Sequence, residues 1–161
     1  MAFTITANDT KAKAKIAALE AAMTPAATDP VVQKVAWKTH RALVMKTPKG
    51  FTGQTRRDWH VYKRTNAGGG YLVTNQSKVM FFLERGTKAH GPKTKKMLFI
   101  PLNRKAAIGG WNSGLTIGVD YILRKKVKGI KKMLIVAKQR PKTAEWLLHA
   151  MKVHIQKALT S

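Results

Sequence analysis

The residues of this 161-residue chain that could do chemistry are seven carboxylates, five histidines and thirty-one lysines and arginines. The acids stand far apart, as Asp9, Glu20, Asp29, Asp58, Glu84, Asp120 and Glu145. Two-metal phosphoryl transfer needs clustered carboxylates, and no two of these are near neighbours in sequence. His149 and His154 lie five apart on one expected helix, about 140° apart around its axis, so they do not share a metal-binding face. Asp58 and His60 would point to one side of an expected strand as a conceivable acid–base pair, with a surface hydrogen bond as the plainer reading. The glycine run Gly68–Gly70 lacks the Gly-Lys-Ser/Thr of a phosphate loop and reads as a hairpin tip. No Gly-x-Ser-x-Gly and no His-Glu-x-x-His occurs. With no cysteine, the chain has neither a disulfide scaffold nor a cysteine zinc site. The expectation is a protein that is not an enzyme and uses no cofactor and no metal.

The cations are the dominant feature. Against seven acids they give a net charge of +24, a field that draws polyanions such as nucleic acid, an anionic membrane or an acidic protein surface. The excess runs from Lys11 to Lys157, as expected of a folded domain with basic faces. Arg124, Lys125, Lys126, Lys128, Lys131 and Lys132 crowd what reads as a loop between two strands, and Lys93, Lys95 and Lys96 form a second cluster. Both are candidate contacts for a polyanion or an acidic partner; the bland alternative is a solvated rim. No RNP-type aromatic strand and no C2H2 finger accompanies them. Trp37, Trp59, Trp111 and Trp146 occur singly within elements, where core or interface roles are more usual than base stacking.

The elements that position these residues read as α+β. Apolar residues make up 44% of the chain, enough for a core, and a domain of this size buries roughly two thirds of its surface. No run of about 18 apolar residues exists, so no membrane span is expected, and the lack of an apolar stretch before Lys11 argues against a signal peptide. Residues 1–28 read as an arm followed by an alanine-rich helix from Asp9 or Thr10. Its stripe of Ala12, Ile16, Leu19 and Met23 is narrow, which suits weak docking or docking on a neighbouring subunit. Thr24 to Thr28 are expected as a linker. Asp29-Pro30 predicts a helix start, N-cap then proline, for a helix over 29–47 that ends because Thr47 precedes Pro48. Val32, Val35, Ala36, Thr39 and Leu43 should face inward, and Lys34, Lys38 and Arg41 outward.

Residues 54–137 are expected to form the sheet, with strands at 56–63, 71–75, 97–102, 115–123 and 133–137 between glycine-rich turns and the stretch 79–87 as partner to the first strand. Pro141 is expected to open a helix over 141–159, with Leu148, Met151, Ile155 and Leu159 inward and Glu145, His149, Lys152 and Gln156 outward. The expected fold is an antiparallel sheet of four to six strands, with two N-terminal helices and one long C-terminal helix packed on it, in a single domain of residues 1–161.

Two stretches carry a resemblance. Thr47-Pro48, Thr52-Gly53, Arg56 and Trp59 form the first, and the aromatic-rich run ending in Glu84, Gly86 and Thr87 the second. His90 to Pro92, with Lys93, Lys96 and Leu98-Phe99, extend it. In order and spacing these are similar to the family of head–tail connector, neck and tail-completion proteins of long-tailed bacteriophages, over about Lys46 to Leu102. The chain departs from that pattern at Gln54-Thr55, where a leucine is usual, and it has the family's late Pro-Phe-Leu only loosely, as Pro141 and Trp146-Leu147. The resemblance implies a small subunit that forms a homo-oligomeric ring, commonly hexameric, in the tail or neck of the virion after assembly in the host cytoplasm. Its neighbours would be the tail tube or tail terminator protein and the head-side connector, with DNA able to pass through the lumen. The motif residues would then serve the subunit interface. The alternative from charge alone is a basic nucleic-acid-binding protein with no virion role.

Glu84 stands out within this frame. It is the only acid between Asp58 and Asp120, and so lone a carboxylate should be ion-paired, with a partner from the next subunit in a ring.

Overall fold

Threonine followed by proline starts the main N-terminal helix five residues before the expected place. The Thr24 hydroxyl accepts from the Ala27 N–H at 3.4 Å and Pro25 takes the first helical position, where a missing N–H costs nothing. In this computed structural model, which describes residues 9–50, 52–65, 69–93, 96–103, 117–118 and 121–160, α1 spans Asp9–Ala22 and α2 spans Pro25–Lys46. The expected linker is therefore helical, and Asp29-Pro30 lies inside α2. Two such cap-and-proline pairs stand five residues apart, and the earlier one prevails. The C-terminal end is as expected: α2 stops at Lys46, before Thr47-Pro48.

After α2 come a single turn, α3 (Gln54–Arg57), then β1 (Trp59–Lys63), β2 (Tyr71–Asn75), α4 (Lys78–Arg85), β3 (Leu98–Pro101), β4 (Tyr121–Arg124) and α5 (Ile135–Thr160). The chain is thus mixed helix and strand. Its four strands, among the described residues, lie in two separate two-stranded sheets, β1–β2 and β3–β4, not in one sheet. The β3–β4 pair is antiparallel, Leu98 opposite Arg124 and Pro101 opposite Tyr121. Of the strand expected at 115–123, residues 115–116 and 119–120 lie outside the described residues, as do Lys95, Trp111 and the arm at 1–8.

Three expected strand segments are helical, each for a local reason. Residues 56–58 belong to α3 and its end, because Gly53 adopts a φ of 70° and the Thr52 hydroxyl accepts from the Gln54 N–H at 3.2 Å. The run Val79–Leu83 is α4: Ser77 caps it by accepting from the Val79 N–H at 3.3 Å, and Gly86 ends it with a φ of 75°. An unbroken apolar run has no period that separates strand from helix; its boundary residues decide. Residues 135–137 begin α5, and Pro141 sits inside that helix. Its inner face also differs from expectation. Met151 and Ile155 are half-buried with Trp146, Leu147 and His154, whereas Leu148 is 74% exposed.

The described chain divides into two compact units whose segments alternate in sequence: Met1–Thr39, Val61–Leu72 and Arg140–Ser161 form one, His40–His60 and Val73–Gln139 the other. In the first, Val35, Ala36 and Thr39 are buried, as predicted for the inner face of α2, and so is Ala22 of α1. The Thr39 and Thr143 hydroxyls meet at 3.1 Å, and the Lys38 ammonium lies 4.3 Å from the Trp146 ring centre. From Thr10 onward, only Ala18, Leu19 and Ala22 of α1 are turned from solvent. Asp29, freed from capping, accepts from Lys63 Nζ at 2.8 Å and from the Tyr71 hydroxyl at 3.1 Å. The second unit holds the apolar core of Leu43, Trp59, Met80 and Ile135, flanked by Val44, Val73, Leu83, Met133 and Val136.

Within that unit α5 begins without a cap of its own. Lys131 to Leu134 offer no Ser, Thr, Asp or Asn, and Leu134 carries a φ of 52°. The acceptor comes from α4 instead. Both carboxylate oxygens of Glu84 are used, Oε2 accepting from the Val136 N–H and Oε1 from the Ala137 N–H, each at 3.0 Å. The expected ion pair is thus replaced by a helix N-terminus, whose amides and dipole satisfy a carboxylate without a cation.

Two outcomes follow from these contacts. Glu84→Ala should lower unfolding stability in urea by about 1–3 kcal/mol, and Glu84→Gln, which keeps one acceptor oxygen, by roughly half of that. The Asp29–Lys63 contact should have a defined pH window. The hydrogen bond from Lys63 holds the Asp29 carboxyl below its ordinary value, so that contribution is present above the ordinary carboxylate range and lost as pH falls through the lowered value. Lys63 is raised by the same bond, so its contribution disappears only when pH rises past the ordinary lysine range. Exposure makes the effect small, and Asp29→Asn should flatten the acid limb of the stability–pH profile.

Candidate functional site

The motif residues of the first stretch meet in the second unit, on the inside. Thr47 has no exposure at all. Its hydroxyl donates to the Leu43 carbonyl at 2.7 Å and accepts from the Trp59 indole N–H at 2.9 Å, while its own carbonyl accepts from Arg56 Nε. The Trp59 carbonyl meets His40 Nε2 at 3.1 Å. Pro48, Thr52 and Gly53 are half-buried beside this node. One threonine thus fastens the end of α2 to the start of β1, and satisfies the polar atom of a buried tryptophan. These residues hold together the end of α2 and the start of β1.

The second stretch fastens a ribbon. Beyond α4, Gly86 donates to the Phe82 carbonyl at 2.8 Å, the Thr87 N–H donates to the Ile130 carbonyl at 2.9 Å, and His90 and Val127 exchange backbone bonds at 3.2 and 2.9 Å. The Thr87 hydroxyl accepts from the Ile130 N–H at 2.9 Å. Residues 86–91 therefore run antiparallel to 125–131. The β3–β4 pairing lies beyond in a different register: His90 faces Val127 and Leu98 faces Arg124. Glycine makes the approach possible. A Cβ at Gly86 would stand 2.7 Å from the Ile130 carbonyl oxygen, one at Gly91 2.8 Å from that of Lys125, and one at Gly129 inside the Thr87 carbonyl. The expected basic loop is thus a pinned ribbon.

Arg124, Lys125, Lys126, Lys128, Lys131 and Lys132 are all exposed on it, as are Lys93 and Lys96, and Lys88 joins them. His90 is exposed and Pro92 half-buried. In the sequence no acid occurs between Glu84 and Asp120, nor between Asp120 and Glu145. Beside the ribbon, α4 turns Met80 and Leu83 into the core and leaves Val79, Phe81 and Phe82 exposed. The two rings meet edge to face at 5.9 Å, and the Arg85 guanidinium lies 4.6 Å from the Phe81 centre.

Sequence reasoning singled out the cations that the structure leaves exposed but missed the pinning, whose signal was the glycines at 86, 91 and 129. It also missed the exposed face of α4. Asp58 closes α3 and takes the Gln54 amide, so it is not part of β1. His154 meets the Ala22 carbonyl at 3.0 Å. Among the described residues no three His, Asp or Glu side chains gather as a metal site, and no helix is long and apolar enough to cross a membrane. Comparison with protein families, with characterised proteins and with solved structures gives no match to this chain.

The ribbon's dependence on glycine is open to test. Gly129→Ala should cost roughly 1–3 kcal/mol through overpacking and speed amide exchange at Thr87, Val127 and Ile130. Gly50→Ala, at a φ of 59° with nothing near the new carbon, should cost about 1–2 kcal/mol and leave those amides unchanged.

Proposed function

We propose that this chain is a structural virion protein of a tailed phage that forms a ring at the head-proximal end of the tail and makes the tail competent to join a head. The observation that carries this reading is how much apolar surface the subunit leaves outside its own core. Among the described residues sixteen large apolar side chains are exposed and seven apolar residues are buried. They include Val79, Phe81 and Phe82 on α4, inside the second motif, and Ile16 on α1. Contiguous exposed apolar side chains mark surfaces meant to be covered. A homo-oligomer supplies that cover at every subunit at once. The resemblance in the two motif stretches supplies the place in the virion, and the neighbours it implies are the tail tube or terminator and the head-side connector.

The fuller sheet of four to six strands belongs to the same proposal. Among the described residues each two-stranded sheet has edges without a partner strand, and strands from adjacent subunits would extend them around a ring. The runner-up, a basic nucleic-acid-binding protein with no virion role, is favoured by the exposed ribbon alone.

Nuclease-treated protein in high salt separates the two readings, because a ring held by apolar contacts persists there and an assembly held by nucleic acid does not. Full-length chain should elute as an oligomer and show rings by negative stain. Removing residues 1–22, which spares the Thr24 cap, should leave a folded subunit that no longer assembles in order. A phage lacking the gene should accumulate filled heads and full-length tails unjoined. A monomer in every condition, with joined particles formed without the gene, would overturn the proposal.

A further inference from the structure

We propose that the cationic ribbon of residues 86–93 and 124–132 is a phosphate-contacting surface for duplex DNA, bound without regard to sequence. This rests on the ribbon alone and holds for a single subunit whether or not rings form.

Three properties of the ribbon point to this partner. The first is preorganisation: the backbone bonds from Thr87 and His90 to Ile130 and Val127 already fix the segment. The cations therefore stand on an ordered frame, and binding has little backbone freedom left to remove. The second is charge without internal relief. The two segments together hold eight cations, two in 86–93 and six in 124–132, and no acid. Charges of one sign so close repel one another, and a line of phosphates relieves that repulsion while releasing its own counterions.

The third is residue type, which separates DNA from an acidic protein. Seven of the eight cations are lysine and one is arginine. Protein–protein interface cores are depleted in lysine and enriched in arginine and aromatic residues, whereas lysine meets phosphate as a mobile point charge. Neither segment contains Phe, Tyr or Trp, and the exposed rings beside the ribbon, Phe81 and Phe82, meet each other edge to face with Arg85 over Phe81, so the ribbon itself carries no platform on which unpaired bases would stack. A two-stranded β-ribbon also has dimensions that the major groove admits. Contact with the sugar–phosphate backbone of a duplex is what remains.

Fluorescence anisotropy of a labelled random-sequence duplex, titrated with full-length protein between 50 and 200 mM salt, tests this. Six phosphate contacts would give a loss of affinity of about 10³-fold over that range, and removing three contacts should shrink the loss by roughly 40-fold. Lys125→Gln, Lys126→Gln and Lys128→Gln together should do so, with an unchanged thermal melt. The same change of charge on α1, at Lys11, Lys13 and Lys15, should leave the salt dependence near that of the parent chain. Equal shifts from the two triple variants would mean that net charge binds DNA and the ribbon does not, which overturns the proposal. So would tighter binding of a polyglutamate chain of matched charge that the ribbon variant alone abolishes, since the partner would then be an acidic protein.

Discussion

A helix that begins inside a protein must find acceptors for its first amide groups, and α5 finds them on α4. The Glu84 carboxylate at 3.0 Å from two successive amides sets where the longest helix of the chain starts. Much of the second unit depends on that point. Ile135, one residue earlier, is buried in the core with Leu43, Trp59 and Met80, and the Met133 N–H donates to the Leu83 carbonyl at 3.0 Å. The start also has costs. Leu134 holds a left-handed backbone, worth about 1–2 kcal/mol against it. Buried Gln139 takes Lys46 Nζ on its oxygen at 2.6 Å and leaves its amide nitrogen without a protein partner. Two charge-assisted bonds, at roughly 1.5–3 kcal/mol each, are large enough to outweigh the backbone term.

What could be read from the sequence follows from how local each determinant is. The inner face of α2, from Val35 to Leu43, is written in its own periodicity. So are the break at Thr47-Pro48 and the β1–β2 hairpin. The start of α5 is not, because its cap lies about fifty residues upstream in Glu84. Pro141, a strong start signal by itself, was outweighed by that distant carboxylate together with the burial of Ile135. Leu148 misled for a related reason: an apolar residue on a helix reads as inward until the packing partner fixes which face is inward. The lone acid Glu84 was recognisable as special, but its partner was a set of backbone amides, and backbone amides leave no trace in a residue alphabet.

The same distinction runs through the candidate site. The lysines of 124–132 announce themselves by composition, and composition cannot tell a loose loop from a fixed surface. Three glycines make the difference, by letting two backbones approach where a methyl group would collide. Thr87 takes part twice, with its amide and its hydroxyl, so the Gly-Thr pair of the second motif acts as a clasp. The Thr47–Trp59 bond plays the corresponding part in the first. Both stretches thus join segments of one chain.

The interleaving of the two units has a consequence for the order of events at the ribosome. The unit made of Met1–Thr39, Val61–Leu72 and Arg140–Ser161 joins segments far apart in sequence, and its bonds span 104 residues from Thr39 to Thr143 and 132 from Ala22 to His154. At roughly 5–20 residues per second of synthesis, α1 and α2 emerge many seconds before α5 exists to cover them. Contacts between residues so far apart in sequence form slowly, since the loop must close first. The other unit, nested between residues 40 and 139, has all of its segments sooner. The first unit therefore cannot close before α5 has been made, and α1, whose Ala22 carbonyl meets His154, depends for that contact on a segment more than a hundred residues downstream.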